Sequence, residues 1–263
     1  PESTGNPANF GDMISEEDWP LNIPGDLEVP IPPYLPSTEI AVNDIRRVYS
    51  NILELDRQIG IIIAQLEEDQ LLDSTIVFFY SDHGGPLPRQ KRLIYDSGIK
   101  VPLVIRYPGQ HGAGYHDDQL ISFIDFAPTI FSISGIKIPD YVQGQAFAGK
   151  YRSRKERKYI HAAADRFDAQ LDMIRAVRDD RYKYLLNFYP DKPYYLPVKY
   201  REQMAIMKEL LRLKEIDSLD TYQAQWFREE KVKEELFDTW EDPHELQNPA
   251  GDPDYAGKLE ELR

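Results

Sequence analysis

Residues 55–85 read LDRQIGIIIAQLEEDQLLDSTIVFFYSDHGG, a stretch that joins the end of a helix, a strand and a polar loop. Ile45, Val48, Tyr49, Ile52, Leu55, Ile59, Ile62, Ile63 and Leu66 recur at spacings of three and four, the pattern of an amphipathic helix that lays one face on a core. The pattern predicts a helix over about residues 43–69. TIVFFY at 75–80 is a short continuous run of β-branched and aromatic residues, which suits a strand buried on both faces. That strand runs out at Ser81-Asp82-His83-Gly84.

Working outward, VPLVIR at 101–106 predicts a second strand, and FIDFAPTIFSISGI at 123–136 a helix that opens near Pro128 and closes at Gly135. Helix, strand, loop, strand and helix in that order predict an α/β domain with a largely parallel sheet. After Gly144 the character changes. Strand-like YIHAAA is followed by MIRAVRDDRYKYLLNF, which reads as two strands turned at Asp179-Asp180, so a smaller antiparallel sheet is expected there. Helical periodicity returns over residues 201–213 and again over 219–233. The Pro-, Gly- and acid-rich opening reads as an extended surface segment. The expected organisation is a connector over 1–40, an α/β part over 41–145 and a smaller α+β subdomain over 146–263.

With 41% hydrophobic and 29% charged residues, the composition is that of a globular chain rather than a disordered one. A formal net charge of −14 argues against nucleic acid or an anionic membrane surface as partner, because both need a basic face. There is no cysteine, hence no disulfide, zinc–thiolate site or thiol nucleophile in these residues. No run approaches the roughly 20 apolar residues that a membrane-spanning helix needs, so no membrane insertion is expected. Pro1 opens in polar, loop-like sequence without an initiator Met, and the chain is expected to be a processed or excised piece.

In an open parallel sheet ligands bind beyond the carboxyl ends of the strands. Asp82 and His83 occupy that position after TIVFFY. A carboxylate beside an imidazole, with Gly84 and Gly85 allowing close backbone approach, offers a divalent cation one oxygen and one nitrogen ligand. By local pattern alone such an Asp-His-Gly is more often a turn or cap. Arg89, Lys91 and Arg92 follow, and a sulfate or phosphate ester needs positive charge of this kind for its nonbridging oxygens. By composition alone they would be a solvated basic loop.

Five segments in order decide between these readings: residues 55–85 above, KRLIYDSGIKVPLVIRYPG at 91–109, LISFIDFAPTIFSISGI at 120–136, IRAVRDDRYKYLL at 174–186 and EELFDTWEDPHELQN at 234–248. Together they closely resemble the sulfatase family. The resemblance implies an alkaline phosphatase-like α/β fold with a smaller C-terminal subdomain on an antiparallel sheet. It also implies cleavage of sulfate esters by a formylglycine nucleophile beside a divalent cation, usually Ca2+, with Mg2+ or Mn2+ as alternatives. Asp82 matches the family's late metal-binding Asp. His83 stands where many relatives have Asn, so it either ligates the cation through nitrogen or touches the sulfate. Lys91 matches the lysine that bridges sulfate and nucleophile. Arg89 is a candidate substrate-rim charge, and His161, Asp165 and Arg166 are candidates to reach the substrate pocket.

The family's N-terminal nucleophile motif and early Asp pair do not appear, so the chain is expected to correspond to the C-terminal part of such an enzyme and to be inactive alone. A sulfated sugar or small sulfate ester is the implied substrate. A homo-oligomer is compatible with the resemblance, and a periplasmic or secreted location is what it suggests. Two rivals stand beside this reading: a phosphodiesterase or phosphonate hydrolase of the same superfamily, and a noncatalytic module that keeps the fold.

Overall fold

The computed structural model describes residues 27–263. Helix α1 (Glu39–Glu68) begins after Thr38 with Glu39 in its first turn, where a carboxylate favours the positive end of the helix dipole. It ends because Gln70 turns left-handed (φ 57°). The Gln70 N–H then reaches the Glu67 carbonyl and the Leu71 N–H that of Leu66, closing the last turn. The apolar stripe behaves differently along the helix. Ala41 and Ile45 are buried, whereas Ile52, Ile61 and Ile62 are more than half exposed among the described residues.

β1 (Val77–Tyr80) and β2 (Leu103–Arg106) form a two-stranded sheet. They pair antiparallel, Val77 opposite Arg106 and Tyr80 opposite Leu103, which corrects the expectation of a parallel pair for these strands. The reason lies in the connection. Parallel neighbours need a crossover, usually a helix packed on the sheet, and between these strands only the four-residue α2 (Asp96–Ile99) forms. Nor is β1 buried on both faces: three of its residues are half-buried and Tyr80 is 45% exposed. α3 (Phe126–Ile133) closes as predicted, with Gly135 at φ 71° donating to Ser132 and Ile136 to Phe131.

The C-terminal sheet follows the predicted hairpin. β3 (Ile160–Phe167), β4 (Gln170–Arg178), β5 (Tyr182–Asn187) and β6 (Glu234–Asp238) lie in that order, every neighbour antiparallel. The β4–β5 turn works because Asp179 Oδ1 accepts from the Arg181 and Tyr182 N–H groups. One face of this sheet packs under α6 (Ala256–Leu262) through Tyr184, Leu236, Leu259 and Leu262. The other carries Ala176, Leu185 and Phe237 against Ile94 and Tyr95 of the segment between β1 and β2.

α4 (Ala205–Glu215) and the short α5 (Thr221–Gln225) complete the subdomain, the second much shorter than the periodicity over 219–233 predicted. The largest buried cluster joins Tyr34, Leu35, Ala41, Ile45 and Leu87 to Tyr195, Met207, Leu210 and Trp226, so one core runs across the sequence position of the expected subdomain boundary. Residues 1–26 of the expected connector lie outside the described residues, and Tyr34 and Leu35, within it, are core side chains.

Candidate functional site at the tip of the first strand

The chain after β1 forms a loop closed on itself by backbone bonds. The Gly84 N–H donates to Gly98 (2.8 Å) and the Lys91 N–H to Gly85 (2.9 Å), which brings Lys91 back against the turn that carries Asp82 and His83. Glycine is required at the closure. A Cβ on Gly84 would sit 2.0 Å from the Ser97 carbonyl oxygen, and one on Gly98 2.1 Å from that of Leu93.

Asp82 projects outward, its side chain 77% exposed, with Oδ1 3.6 Å from His83 Nε2. His83 Nδ1 lies 2.8 Å from the Gly84 carbonyl oxygen. A carbonyl can only accept, so Nδ1 carries the proton and, in the neutral ring, the lone pair is on Nε2. An imidazole oriented by its second nitrogen on a backbone carbonyl is the usual support of a metal-ligating histidine. Asp82 and His83 therefore fit part of a cation shell. Among the described residues no cluster of three or more His, Asp or Glu completes it.

The loop is held from below by the C-terminal sheet. Asp96 accepts Arg178 Nη2 at 2.9 Å and Lys183 Nζ at 2.8 Å. Lys183, fully buried, also lies 2.6 Å from Glu245, whose other oxygen accepts the Asp96 N–H. Burial alone would raise the Asp96 pKa. Lys183 and Arg178 outweigh it and hold the carboxyl down at about 2. Burial instead raises Glu245, against the opposing pull of Lys183.

Sequence reasoning missed this network. Its signal was a lysine at the inward register of RYKYLL, alternating with apolar residues on a strand buried on both faces.

The other candidates fall in different places. Arg89 is 5% exposed and not a rim charge. Its guanidinium lies over Tyr34 and Tyr95 and donates to the His244 and Glu245 carbonyls, clamping the loop to the C-terminal segment. It folded inward because residues 87–89 pack into the core and Arg89 adopts a left-handed backbone, φ 62°. His161 and Asp165 are exposed on edge strand β3, on the face opposite Ala162 and Ala164, which pack toward the loop. Asp165 pairs with Arg175 at 2.7 Å. The structure thus does not gather His161 and Asp165 with Lys91. Arg166 is exposed near the β3–β4 tip, where Asp168 pairs with Arg92 at 2.5 Å. Hence the hairpin end, rather than the strand middle, meets the loop.

Beneath the loop lies Glu235, fully buried and accepting from Asn187 Nδ2 at 2.7 Å and Tyr95 Oη at 3.4 Å. Burial pushes its pKa up to about 7. A raised acid binds its proton more tightly when folded, so its contribution is present below the ordinary value of 4.5 and is lost as pH rises to about 7. Glu235→Gln is expected to remove that dependence. Urea unfolding should show wild type losing on the order of 2–3 kcal/mol relative to the variant between pH 5 and pH 8. Parallel pH curves for the two proteins would refute the assignment.

The chain has the alkaline phosphatase-like fold of the solved sulfatases it superposes on. The chain belongs to the sulfatase family: the family's model, described as Sulfatase, matches residues 4–136, and that of the N-sulphoglucosamine sulphohydrolase C-terminal region matches residues 89–219. An ulvan-active sulfatase of Formosa agariphila is 56% identical over 256 residues, which are 97% of this chain and 43% of that protein. A structure solved in complex with its substrate, D-glucosamine-2-N,6-O-disulfate, superposes with a TM-score of 0.61 at 24% identity, over 84% of this chain and 39% of that one. The phosphonate monoester hydrolase of Agrobacterium radiobacter does so with a TM-score of 0.56 at 25% identity, over 84% and 39%. The chain spans about half or less of the length of the curated relatives it matches.

Proposed function

We propose that the full-length protein is a sulfuric ester hydrolase acting on a sulfated carbohydrate, with an ulvan-type polysaccharide as first substrate to test. The observation that carries this reading is the loop itself: Asp82 and His83 at the β1 tip, with Lys91 bonded through its backbone to the same turn. Support for the carbohydrate comes from the ulvan-active relative, 56% identical across nearly all of the chain.

In this reading Asp82 and His83 would hold a divalent cation, with Ca2+ the first choice and Mg2+ or Mn2+ as alternatives, since oxygen ligands suit hard cations and an imidazole widens the range. When bound, the cation supplies Lewis acidity at the nonbridging sulfate oxygens, and the family's formylglycine supplies the attacking oxygen. Lys91 would place an ammonium on those oxygens, and the leaving oxygen, on which charge builds during S–O cleavage, would take its proton from a His or Lys of the complete enzyme. Arg166 remains a candidate for the substrate rim, from its position near the hairpin tip.

The test combines sulfate release from ulvan by the full-length protein, followed by ion chromatography, with calorimetric titration of Ca2+. Asp82→Ala is expected to weaken cation binding by at least about tenfold and to abolish sulfate release, since one ligand of an incomplete shell is removed. Equal cation binding by wild type and variant would sink the metal assignment. Cleavage of a phosphonate monoester without any sulfate release would favour the phosphonate hydrolase, the second reading, which the Agrobacterium neighbour supports.

A further inference from the structure

Arg201 is among the largest fully buried side chains of the molecule, 1% exposed, yet among the described residues no carboxylate lies within ion-pair distance of it. Its guanidinium sits over the rings of Phe167, from the β3–β4 hairpin, and Trp226, after α5. One Nη2–H donates to the Lys91 backbone carbonyl at 2.9 Å. Nε and Nη1 find no hydrogen-bond partner. Burial pushes its pKa below the ordinary arginine value, against the opposing pull of Tyr200 and with a smaller push from Arg92.

A buried guanidinium without a counter-charge is costly. Two aromatic rings would accept an apolar side chain of similar volume with no such penalty. Cation–π attraction to Phe167 and Trp226 offsets part of that cost, and the hydrogen bond the guanidinium makes ends on the backbone of the residue proposed to meet the sulfate. Residues that lower stability without a packing reason are expected where function needs them.

We propose that Arg201 is a positioning residue for Lys91, fixing from the C-terminal subdomain where the Lys91 backbone, and so its ammonium, sits. The Lys91 carbonyl is held by Arg201 and its N–H by Gly85, so the residue is gripped on both sides of its Cα. The assignment of a catalytic consequence rests on the sulfatase reading; the grip on the loop does not.

The experiment compares Arg201→Met, Arg201→Lys and, as control, the exposed Arg154→Met in the full-length protein. It reads steady-state sulfate release, thermal midpoint and amide exchange of residues 85–93. Arg201→Met is expected to lower kcat about ten- to a hundredfold with KM changed less than about threefold, the effect of a small misplacement of a catalytic group. Its thermal midpoint should hold or rise, while the Lys91 amide exchanges at least about tenfold faster. Arg201→Lys, which keeps a donor, should recover part of kcat, and Arg154→Met should behave as wild type.

An Arg201→Met protein with unchanged kcat and Lys91 protection overturns the proposal. So does one whose midpoint falls sharply with exchange raised throughout, since that marks a structural role. A wild type that releases no sulfate defeats the functional reading instead, and the Lys91 exchange rate then decides the positioning claim by itself.

Discussion

Lys183→Ala is expected to destabilise the protein by about 3–5 kcal/mol, the range for breaking a buried ion pair by removing one partner. Lys183 is 0% exposed and its ammonium lies between Asp96 at 2.8 Å and Glu245 at 2.6 Å. Without it two carboxylates face one another in the interior, with Arg178 left to neutralise only the first. The lowered Asp96 pKa gives the sign of the acid branch. A depressed carboxyl contributes stability above its unfolded value of 3.8, and that contribution disappears as pH falls toward about 2. In Lys183→Ala that acid-sensitive contribution should shrink, because the cation that depresses Asp96 is gone.

Urea unfolding of the full-length protein at pH 7 measures the effect. A loss under about 1 kcal/mol would mean that the carboxylates simply take up protons and the network stabilises nothing. The consequence reaches the site as well, since Asp96 opens α2 on the closure between Gly84 and Gly98. A loosened Asp96 should raise amide exchange across residues 84–98 more than across β5 itself.

How much of this was legible in the chain depends on the range of the interaction. Short-range chemistry read well: the amphipathic spacing gave α1 within a few residues, Gly135 its closure on α3, and Asp179-Asp180 the β4–β5 turn. The Asp82-His83-Gly84-Gly85 loop at a strand end was visible because strand, glycines and ligands are contiguous. The direction of β2 was not, since a strand reads alike in either orientation and only the missing crossover helix between residues 81 and 102 argued against a parallel pair. Arg89 and Lys183 were the harder cases. A cation in a polar segment looks solvated until its partners are known, and these partners, Glu245 and the His244 carbonyl, lie far along the chain. Arg201 offered no sequence signal at all, because its neighbours, two rings and the Lys91 carbonyl, are brought to it only by the fold.

On the proposed sulfatase reading, Lys91→Ala should remove most of the chemistry. Alanine keeps the two backbone bonds at this position, the N–H to Gly85 and the carbonyl from Arg201. What disappears is an ammonium, and its value differs between the bound ester and the transition state. A sulfate monoester carries a single negative charge spread over its nonbridging oxygens, and water can replace one contact to it at small cost. During S–O cleavage negative charge builds on the leaving oxygen, beside the nonbridging oxygens that Lys91 would meet, and an electrostatic donor fixed in advance contributes most there. The expected loss is accordingly about 100- to 1000-fold in kcat with KM changed only a few-fold. Lys91→Arg should restore only part, because a planar guanidinium cannot take the place of a compact point charge without shifting the oxygens it meets. Steady-state kinetics on a sulfated oligosaccharide reads the split. A Lys91→Ala enzyme whose KM rises as far as kcat/KM falls would assign Lys91 to uniform substrate binding and remove it from the chemical step.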